Sequence, residues 1–480
     1  MASQMVAAWI GEEFADLSFG DARLDRRAEF IVDNLSRIAE SQPAAAKSTA
    51  ALKAQYRFIA NRSVSQEAIL DAHNQAAIRR TTEYPCVILV QDTTTVDVTK
   101  PNRQVAGAGP LESEDKQGFF LHPLYALSFD GIPLGIVDQV NWTRDSIQTN
   151  LTPAQKARAR KLEAFEEKES HRWLEMFQSA EQIARAHPET EYIVVGDSEA
   201  DICELYAEVT DLADNCHFVV RGSQNRAVRN AGEARNLDEI LASAKVEFLD
   251  QVEVSERVSK IAGETRSRRK SRSPRLAQIS IRKAPVTLRG PERPGGKLPD
   301  VTLNVVEAVE LDPPEGETAI RWVLLTTLSV DSIADIRRVL TIYTRRWQIE
   351  LFFKTLKSGL HIEDLRYETL ERYLTAVALL TIVAWRVEYL KGIAREDSEA
   401  SCEKFFPPEE WQPTYLVYSE GQAPPAEPPS TREFLLIVAE LGGWQRSKHR
   451  GDPGSITLWR GIRKMTAYAE AFRVFQKLQK

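Results

Sequence analysis

The chain has 480 residues, 43% hydrophobic and 27% charged, with a net charge of −7. At roughly 150 residues per domain the length suggests about three domains, and the composition is globular, which excludes general disorder and fibrous repeats. The negative balance excludes a simple nucleic-acid coat protein, since phosphate binding depends on local Lys/Arg density.

Cys86, Cys203, Cys216 and Cys402 have no CxxC or Cys/His ligand spacing, which argues against zinc and against a disulfide framework. The histidines are equally dispersed, so any metal is expected on carboxylates, which suit hard cations such as Mg²⁺ or Mn²⁺. The N-terminus MASQMVAAWIGEEF lacks a basic region followed by an apolar core. The longest apolar run, LTAVALLTIVAW at 374–385, reads as a core helix rather than a membrane span. A reducing, cytoplasmic setting without membrane contact is the expectation.

In chain order, residues 1–75 read as short helices, with Leu24, Phe30, Ile31, Leu35 and Ile38 near helical spacing and Arg23, Arg26 and Arg27 on the polar side. This is the pattern of a small DNA-binding domain. CVILVQ at 86–91, ended by Asp92, reads as a strand covered on both faces. A hairpin is expected around Asp130-Gly131, then a helix over 153–186, the strand YIVVG ended by Asp197, a helix over 199–212 and the strand HFVVR ended by Arg221. That alternation is α/β. Residues 225–318 read as a β-rich insertion. The strand WVLLTTL and helices over 331–358 and 367–392 return to the first core, and a proline-rich linker from 400 leads to a last helical pair. Arg266 to Lys297 holds eleven Lys/Arg against one acid, Glu292. This run reads either as a phosphate-facing surface or as a solvated loop.

Asp92 and Asp197 each follow an apolar strand, which in an α/β sheet puts them at the carboxyl edge where ligands bind. The plainer reading of each is a turn former or helix N-cap. In IYTRRWQIELFFKTLKSG, 342–359, the residues Tyr343, Arg346, Glu350 and Lys357 fall in a sector of roughly 60° at 100° per residue. They form a polar helix face or, more plainly, a salt-bridged surface with Glu350 paired to Arg346. Three carboxylates from two strand ends and one helix can hold two divalent ions for phosphodiester displacement. That chemistry suits a nuclease as well as a strand-joining enzyme.

YTRRWQIELFFKTLK resembles the Tyr-Arg-Glu-Lys signature of bacterial DDE transposases of the IS-four insertion-sequence family. VQDTT, DSEADI, FVVR, PPEGETAIRWVLLT, QYRFIANRSVSQEAI and LGGWQRSK agree in order and spacing. The resemblance implies an RNase H-like catalytic core, with the β-rich insertion at about 225–318, within residues 76–392. A helical DNA-binding domain at 1–75 would precede it, and a linker and helical dimerisation domain at 393–480 would follow. It further implies a triad of Asp92, Asp197 and Glu350 that binds Mg²⁺, with Mn²⁺ able to substitute. Tyr343, Arg346 and Lys357 would grip phosphates, Trp322 would stack a flipped base, and Trp347 and Arg221 would touch DNA. Arg23, Arg26, Arg27 and Arg57 fall in the part that recognises transposon ends. The reading is a cut-and-paste transposase, homodimeric on DNA ends and nucleoid-associated when bound, acting on inverted repeats and target DNA through a hairpin intermediate. Two rivals stay open: an inactive DNA-binding regulator, and a metal-dependent nuclease that does not join.

Overall fold

A helix that is apolar on every side must be covered on every side, and the run at 374–385 forms one. In a computed structural model, which describes residues 6–38, 48–100, 104–146, 152, 155, 163, 165–230, 233–254, 257–259, 270–396, 399–446 and 451–479, it lies within a helix Leu370–Glu396. That helix is long and apolar enough to cross a membrane, yet 89% of its most apolar window is buried inside the protein. It is a core helix. Several expectations fall partly outside the described residues: 1–5 and 39–47 of the N-terminal helices, 153–154, 156–162 and 164 of the helix over 153–186, 231–232, 255–256 and 260–269 of the β-rich insertion with Arg266–Arg269 of the basic run, and the end of LGGWQRSK at 447–448. The chain divides into two compact units, Met1–Leu151 with Trp347–Lys480, and Thr152–Arg346.

Among the described residues the first unit begins with the helices α1 (Ala8–Glu13), α2 (Ala22–Ile38), α3 (Thr49–Ile59) and α4 (Gln66–Thr81). Ser48 and Ser65 cap α3 and α4 by accepting from Ala51 N and Ala68 N, so the stretch that reads as one segment is two helices. Strands β1 (Cys86–Gln91), β2 (Thr94–Asp97), β3 (Gly109–Pro110), β4 (Gln117–Ser128) and β5 (Pro133–Trp142) follow. The β4–β5 hairpin turns at Asp130-Gly131 as expected, with Gly131 at φ +96°. β1 and β2 lie end to end along β4, antiparallel to it.

The second unit holds α5 (His171–Ala186), β6 (Glu191–Gly196), α6 (Cys203–Ala207) and β7 (Cys216–Arg221), with β6 and β7 parallel. The helix expected over 199–212 is therefore one short α-helix between 3₁₀ turns. Next come β8 (Ala227–Asn230), β9 (Glu233–Asn236), α7 (Leu237–Ser243), β10 (Val246–Val254), β11 (Arg257–Ser259), β12 (Lys270–Arg272) and β13 (Arg275–Leu288). β14 (Glu292–Arg293), β15 (Gly296–Lys297), β16 (Val301–Glu310), β17 (Arg321–Thr326) and α8 (Ile333–Arg345) complete the unit. Its main sheet runs β6-β7-β17-β16-β13-β8-β9, with β10 also on β13. The β-rich insertion thus extends the sheet of its own unit.

The chain returns to the first unit as α9 (Trp347–Lys354), a π turn at Thr355–Gly359, the long helix, now α10, and then α11 (Pro408–Tyr418), α12 (Thr431–Leu441) and α13 (Ser455–Leu478). Among the described residues this tail holds α11, α12 and α13, where the sequence reads as a pair. FPPEEW reads as linker, but Pro408 stands at the first helical position, where its missing N–H costs nothing.

A buried ionic cluster joins the elements of the first unit. His73 Nε2 accepts from Ile136 N at 3.0 Å, so Nδ1 carries the proton shared with Glu13 Oε1 at 2.5 Å. Arg80 meets Glu13 through both Nη atoms, donates from Nε to Leu134 O at 2.6 Å, and lies 4.1 Å above the Trp385 ring. Burial alone would push the Glu13 carboxyl up, but His73 and Arg80 hold it below the usual range. Its stabilisation is complete above the ordinary glutamate value and is lost as pH falls through the lower folded value. Glu13→Ala strands the Arg80 charge, and chemical denaturation is expected to show a loss of about 3–5 kcal/mol.

Candidate active site

Asp92 sits in a gap of the ladder. Gln91 pairs with Leu124 and Thr94 with Leu121, so Asp92 and Thr93 stand opposite Pro123 and His122 without formal pairing. Pro123 has no N–H to give a ladder. Across the gap, the buried His122 bonds Thr93 Oγ1 through Nδ1 at 2.8 Å and Gln91 Oε1 through Nε2 at 3.1 Å. The amide oxygen can only accept, so Nε2 carries the proton and the Thr93 hydroxyl donates to Nδ1. Asp92 Oδ1 accepts from Thr93 N at 2.7 Å, and the residue is half-buried. No sequence signal links Thr93 to His122, 29 positions away.

Glu350, also half-buried, lies in the first turn of α9, where a carboxylate is favoured by the helix dipole. Ile349, Phe352, Phe353 and Leu356 pack inward as expected, and Phe352 stacks on Tyr125 with centroids 5.0 Å apart. Trp347 begins α9 with 61% of its surface exposed. Lys357 lies in the π turn, closed by Leu360 N donating to Thr355 O at 2.9 Å. Its ammonium is 3.4 Å from Glu363, which also accepts from Asp97 N at 3.2 Å.

In the second unit Asp197 follows Gly196 at the end of β6 and caps a 3₁₀ turn, with Oδ1 accepting from Glu199 N at 2.7 Å. The N-cap reading is realised, with one oxygen. Gly196 is required there, since a Cβ would stand 2.4 Å from Ala200 Cβ. Tyr343 is 5% exposed; burial raises its phenol, while the Arg221 and Arg346 charges and a hydrogen bond from Arg221 pull it back, and the Asp197 charge also acts on it. Trp322 meets the Tyr343 ring edge-on, centroids 5.1 Å apart at 68°. One carboxylate, two guanidinium groups, a phenol and an indole are thus gathered in this unit. Asp201, the second aspartate of DSEADI, is buried and accepts from Ser223 N, Gln224 N and Arg226 Nε at 2.7, 3.0 and 2.7 Å. It fixes the loop after Arg221, a role that sequence spacing does not reveal.

The helix expected over 331–358 is observed as α8, ending at Arg345, and α9, starting at Trp347, with Arg346 between them still in the right-handed helical region, and the π turn changes the angular step before Lys357. Tyr343 and Arg346 belong to one unit, Glu350 and Lys357 to the other.

Among the N-terminal arginines, Arg23 is exposed and paired with Asp21 at 2.8 Å, and Arg26 donates to Ala22 O. Arg27 lies 5.7 Å from the Phe30 ring, and Arg57 is exposed in the last turn of α3. From Arg275 to Lys297, within the described part of the basic run, the cations are largely engaged internally. Arg275 binds Glu310 and Glu317, Arg282 pairs with Glu307, Lys283 donates to Val330 O and Asp331 O, and Arg293 binds Glu204.

Three families match in succession: transposase DNA-binding over residues 6–64, transposase DDE domain over 168–386, and transposase Tn5 dimerisation domain over 382–479. A cryo-EM structure of the piggyBac transposase synaptic complex with hairpin DNA aligns with a TM-score of 0.32 at 10% identity, covering 81% of this chain and 66% of that one. The chain spans about two thirds of that structure's length, and a likeness of this size does not extend to side chains. A DNA-binding part, a DDE catalytic part and a dimerisation part in this order define a DNA transposase, an enzyme that cleaves DNA and transfers strands. The chain belongs to the Tn5-like DDE transposases, with an α/β, RNase H-like core.

A DDE domain implies a divalent cation. Within either unit no three His, Cys, Asp or Glu among the described residues are grouped to hold a metal. The candidate donors fit by chemistry: three half-buried carboxylates offer the oxygen ligands that a hard cation takes. Gly196→Ala, which forces the Asp197 turn away from Ala200, is expected to cost about 1–3 kcal/mol by overpacking. An unchanged denaturation midpoint would mean that the turn moves freely.

Proposed function

We propose that the chain binds the inverted repeats of a transposon, hydrolyses one strand at each end, and directs the freed 3′-OH to the opposite strand to form a hairpin. The hairpin is then opened and the end joined to target DNA. Asp92, Asp197 and Glu350 form the catalytic triad and hold Mg²⁺, with Mn²⁺ able to substitute. When bound, such ions activate the attacking oxygen and stabilise the leaving oxygen. The observation that carries this reading is the gathering of Tyr343, Arg221, Arg346 and Trp322 about the Asp197 turn, within the stretch matched by the DDE family.

In this reading Arg221 and Arg346 neutralise phosphate oxygens next to the scissile bond, and the Tyr343 phenol, kept protonated by burial, donates to one. Lys357 exchanges its ion pair with Glu363 for a phosphate. Trp322 and the exposed Trp347 supply stacking faces for unpaired bases. Arg23, Arg26, Arg27 and Arg57 meet the end sequence. The organisation proposed is DNA binding at 1–75, catalysis at 76–392 and dimerisation at 393–480.

Purified protein incubated with end-bearing DNA and Mg²⁺ is expected to give nicked, hairpin and joined products. Asp92→Ala, Asp197→Ala and Glu350→Ala are each expected to lose cleavage on the order of 10³-fold or more while still shifting end DNA. Retained cleavage in any one of them sinks the triad. Shifted bands without nicks from the unaltered protein favour the regulator, and nicks without joined products the nuclease.

Dimerisation has a specific candidate surface. Val474, Phe475 and Leu478, exposed by 59%, 64% and 76%, stand at helical spacing on the last turns of α13, with Phe472 close by. An exposed apolar stripe of this kind marks an interaction site, and it lies in the stretch matched by the dimerisation family. Val474→Glu combined with Phe475→Glu is expected to weaken the dimer on end DNA by about tenfold or more, read by analytical ultracentrifugation, as for loss of apolar interface anchors.

A further inference from the structure

A cavity of about 960 Å³ in the first unit lies away from Asp92 and Glu350. Its walls come from the start of α1, the end of α2, the middle of α10, the Glu403–Pro407 segment and α13. Two of these stretches fall in the DNA-binding match and three in the dimerisation match. The walls are largely apolar, with Val383, Val387, Leu390, Phe406, Ile462 and Met465 among them. The volume lies in the range of small-molecule sites, roughly 300–1,000 Å³.

Arg386 also lines this cavity. Its guanidinium lies 5.0 Å from the Trp9 ring, 5.4 Å from Tyr389 and 5.7 Å from Phe405. Five N–H groups are available on a guanidinium, yet among the described residues no carboxylate, carbonyl or hydroxyl accepts from it. The residue is half-buried by area, but the enclosed setting desolvates its charge and lowers its pKa to about 10. A cation held by ring faces alone, without an acceptor, lacks much of what repays its burial. Trp459, another wall residue, likewise keeps an indole N–H without an acceptor. Two of the wall acids are engaged elsewhere, Glu410 with Arg37 at 3.0 Å and Glu403 with Trp411 Nε1 at 3.0 Å, while Glu409 also lines the wall and the Glu13 and Glu12 charges act on Arg386. Arg473 and Lys477 add positive charge to the wall.

We propose that this cavity is a binding site for a small amphipathic anion, with a carboxylate or phosphate head on Arg386 and an aliphatic body along the apolar wall. The inference does not depend on the triad. A ligand there would tie the Ala7–Trp9 segment to the C-terminal helices.

Full-length protein titrated calorimetrically with dodecanoate, below its micelle concentration, is expected to bind one equivalent saturably. The neutral dodecanol should bind at least about tenfold more weakly, the factor expected for loss of a charge-assisted hydrogen bond. Arg386→Met should lose dodecanoate by a similar factor, while Arg386→Lys retains part of it. If Arg386→Met fails to fold by circular dichroism, Ile462→Trp, which fills the cavity and leaves Arg386 intact, should abolish binding instead. Inorganic phosphate as competitor tests the head group alone. The proposal is overturned if neither dodecanoate nor phosphate binds saturably, if the alcohol binds as well as the acid, or if the folded variants bind unchanged.

Discussion

The need to bury α10 on all sides organises the unit that carries Asp92 and Glu350. With no polar face to turn to water, the helix is packed by α2, α3, α4, β5, α9, the π turn, α12 and α13. Several polar groups that go in with it are matched, although among the described residues Arg386 and the Thr381 hydroxyl are not. Trp385 Nε1 donates to Pro133 O at 2.9 Å, and the buried Glu388 takes the Thr355 hydroxyl at 2.6 Å and lies 3.4 Å from Lys391 Nζ. The Thr355 bond matters beyond stability, because Thr355 opens the π turn that sets the position of Lys357. Backbone approach is close enough at Gly392 that a Cβ would meet Pro133 Cδ at 2.7 Å. Core packing and site geometry in this unit are therefore one problem.

Both strand-end aspartates obey a common arrangement. Each uses one carboxylate oxygen on a nearby backbone N–H, Thr93 for Asp92 and Glu199 for Asp197. In both, that bond helps to hold the side chain in one orientation. A similar economy appears at Tyr343, where Arg221 and Arg346 offset part of the burial that raises the phenol. Such a preorganised set of donors loses little freedom when a phosphate arrives.

Charge is a weaker guide than pairing. The run from Arg266 to Lys297 reads as the most basic part of the chain, but Arg275, Arg282 and Arg293 are neutralised by Glu310, Glu317, Glu307 and Glu204, which lie 25–89 positions away in sequence. These bridges tie the strands of the β-rich extension to each other and to α6. Arg386, by contrast, lies in an apolar segment where sequence suggests only a core helix, and among the described residues no group accepts from it.

The sequence by itself determined the α/β class, the β-rich character of 225–318, the core nature of α10, and the identity of the three acids as strand-end or helical carboxylates. These depend on local periodicity and on motif spacing, which one chain displays directly. Tertiary structure decided the rest. The π turn that precedes Lys357, and the bond from its first residue Thr355 to Glu388, 33 residues away on α10, are not written in the local pattern of 331–358. His122 behind Thr93, Glu363 beside Lys357 and Asp201 beneath the Arg221 loop are pairings across strands and turns. No local pattern encodes them, since each exists only after folding has brought distant backbone together and made an unsatisfied polar group costly.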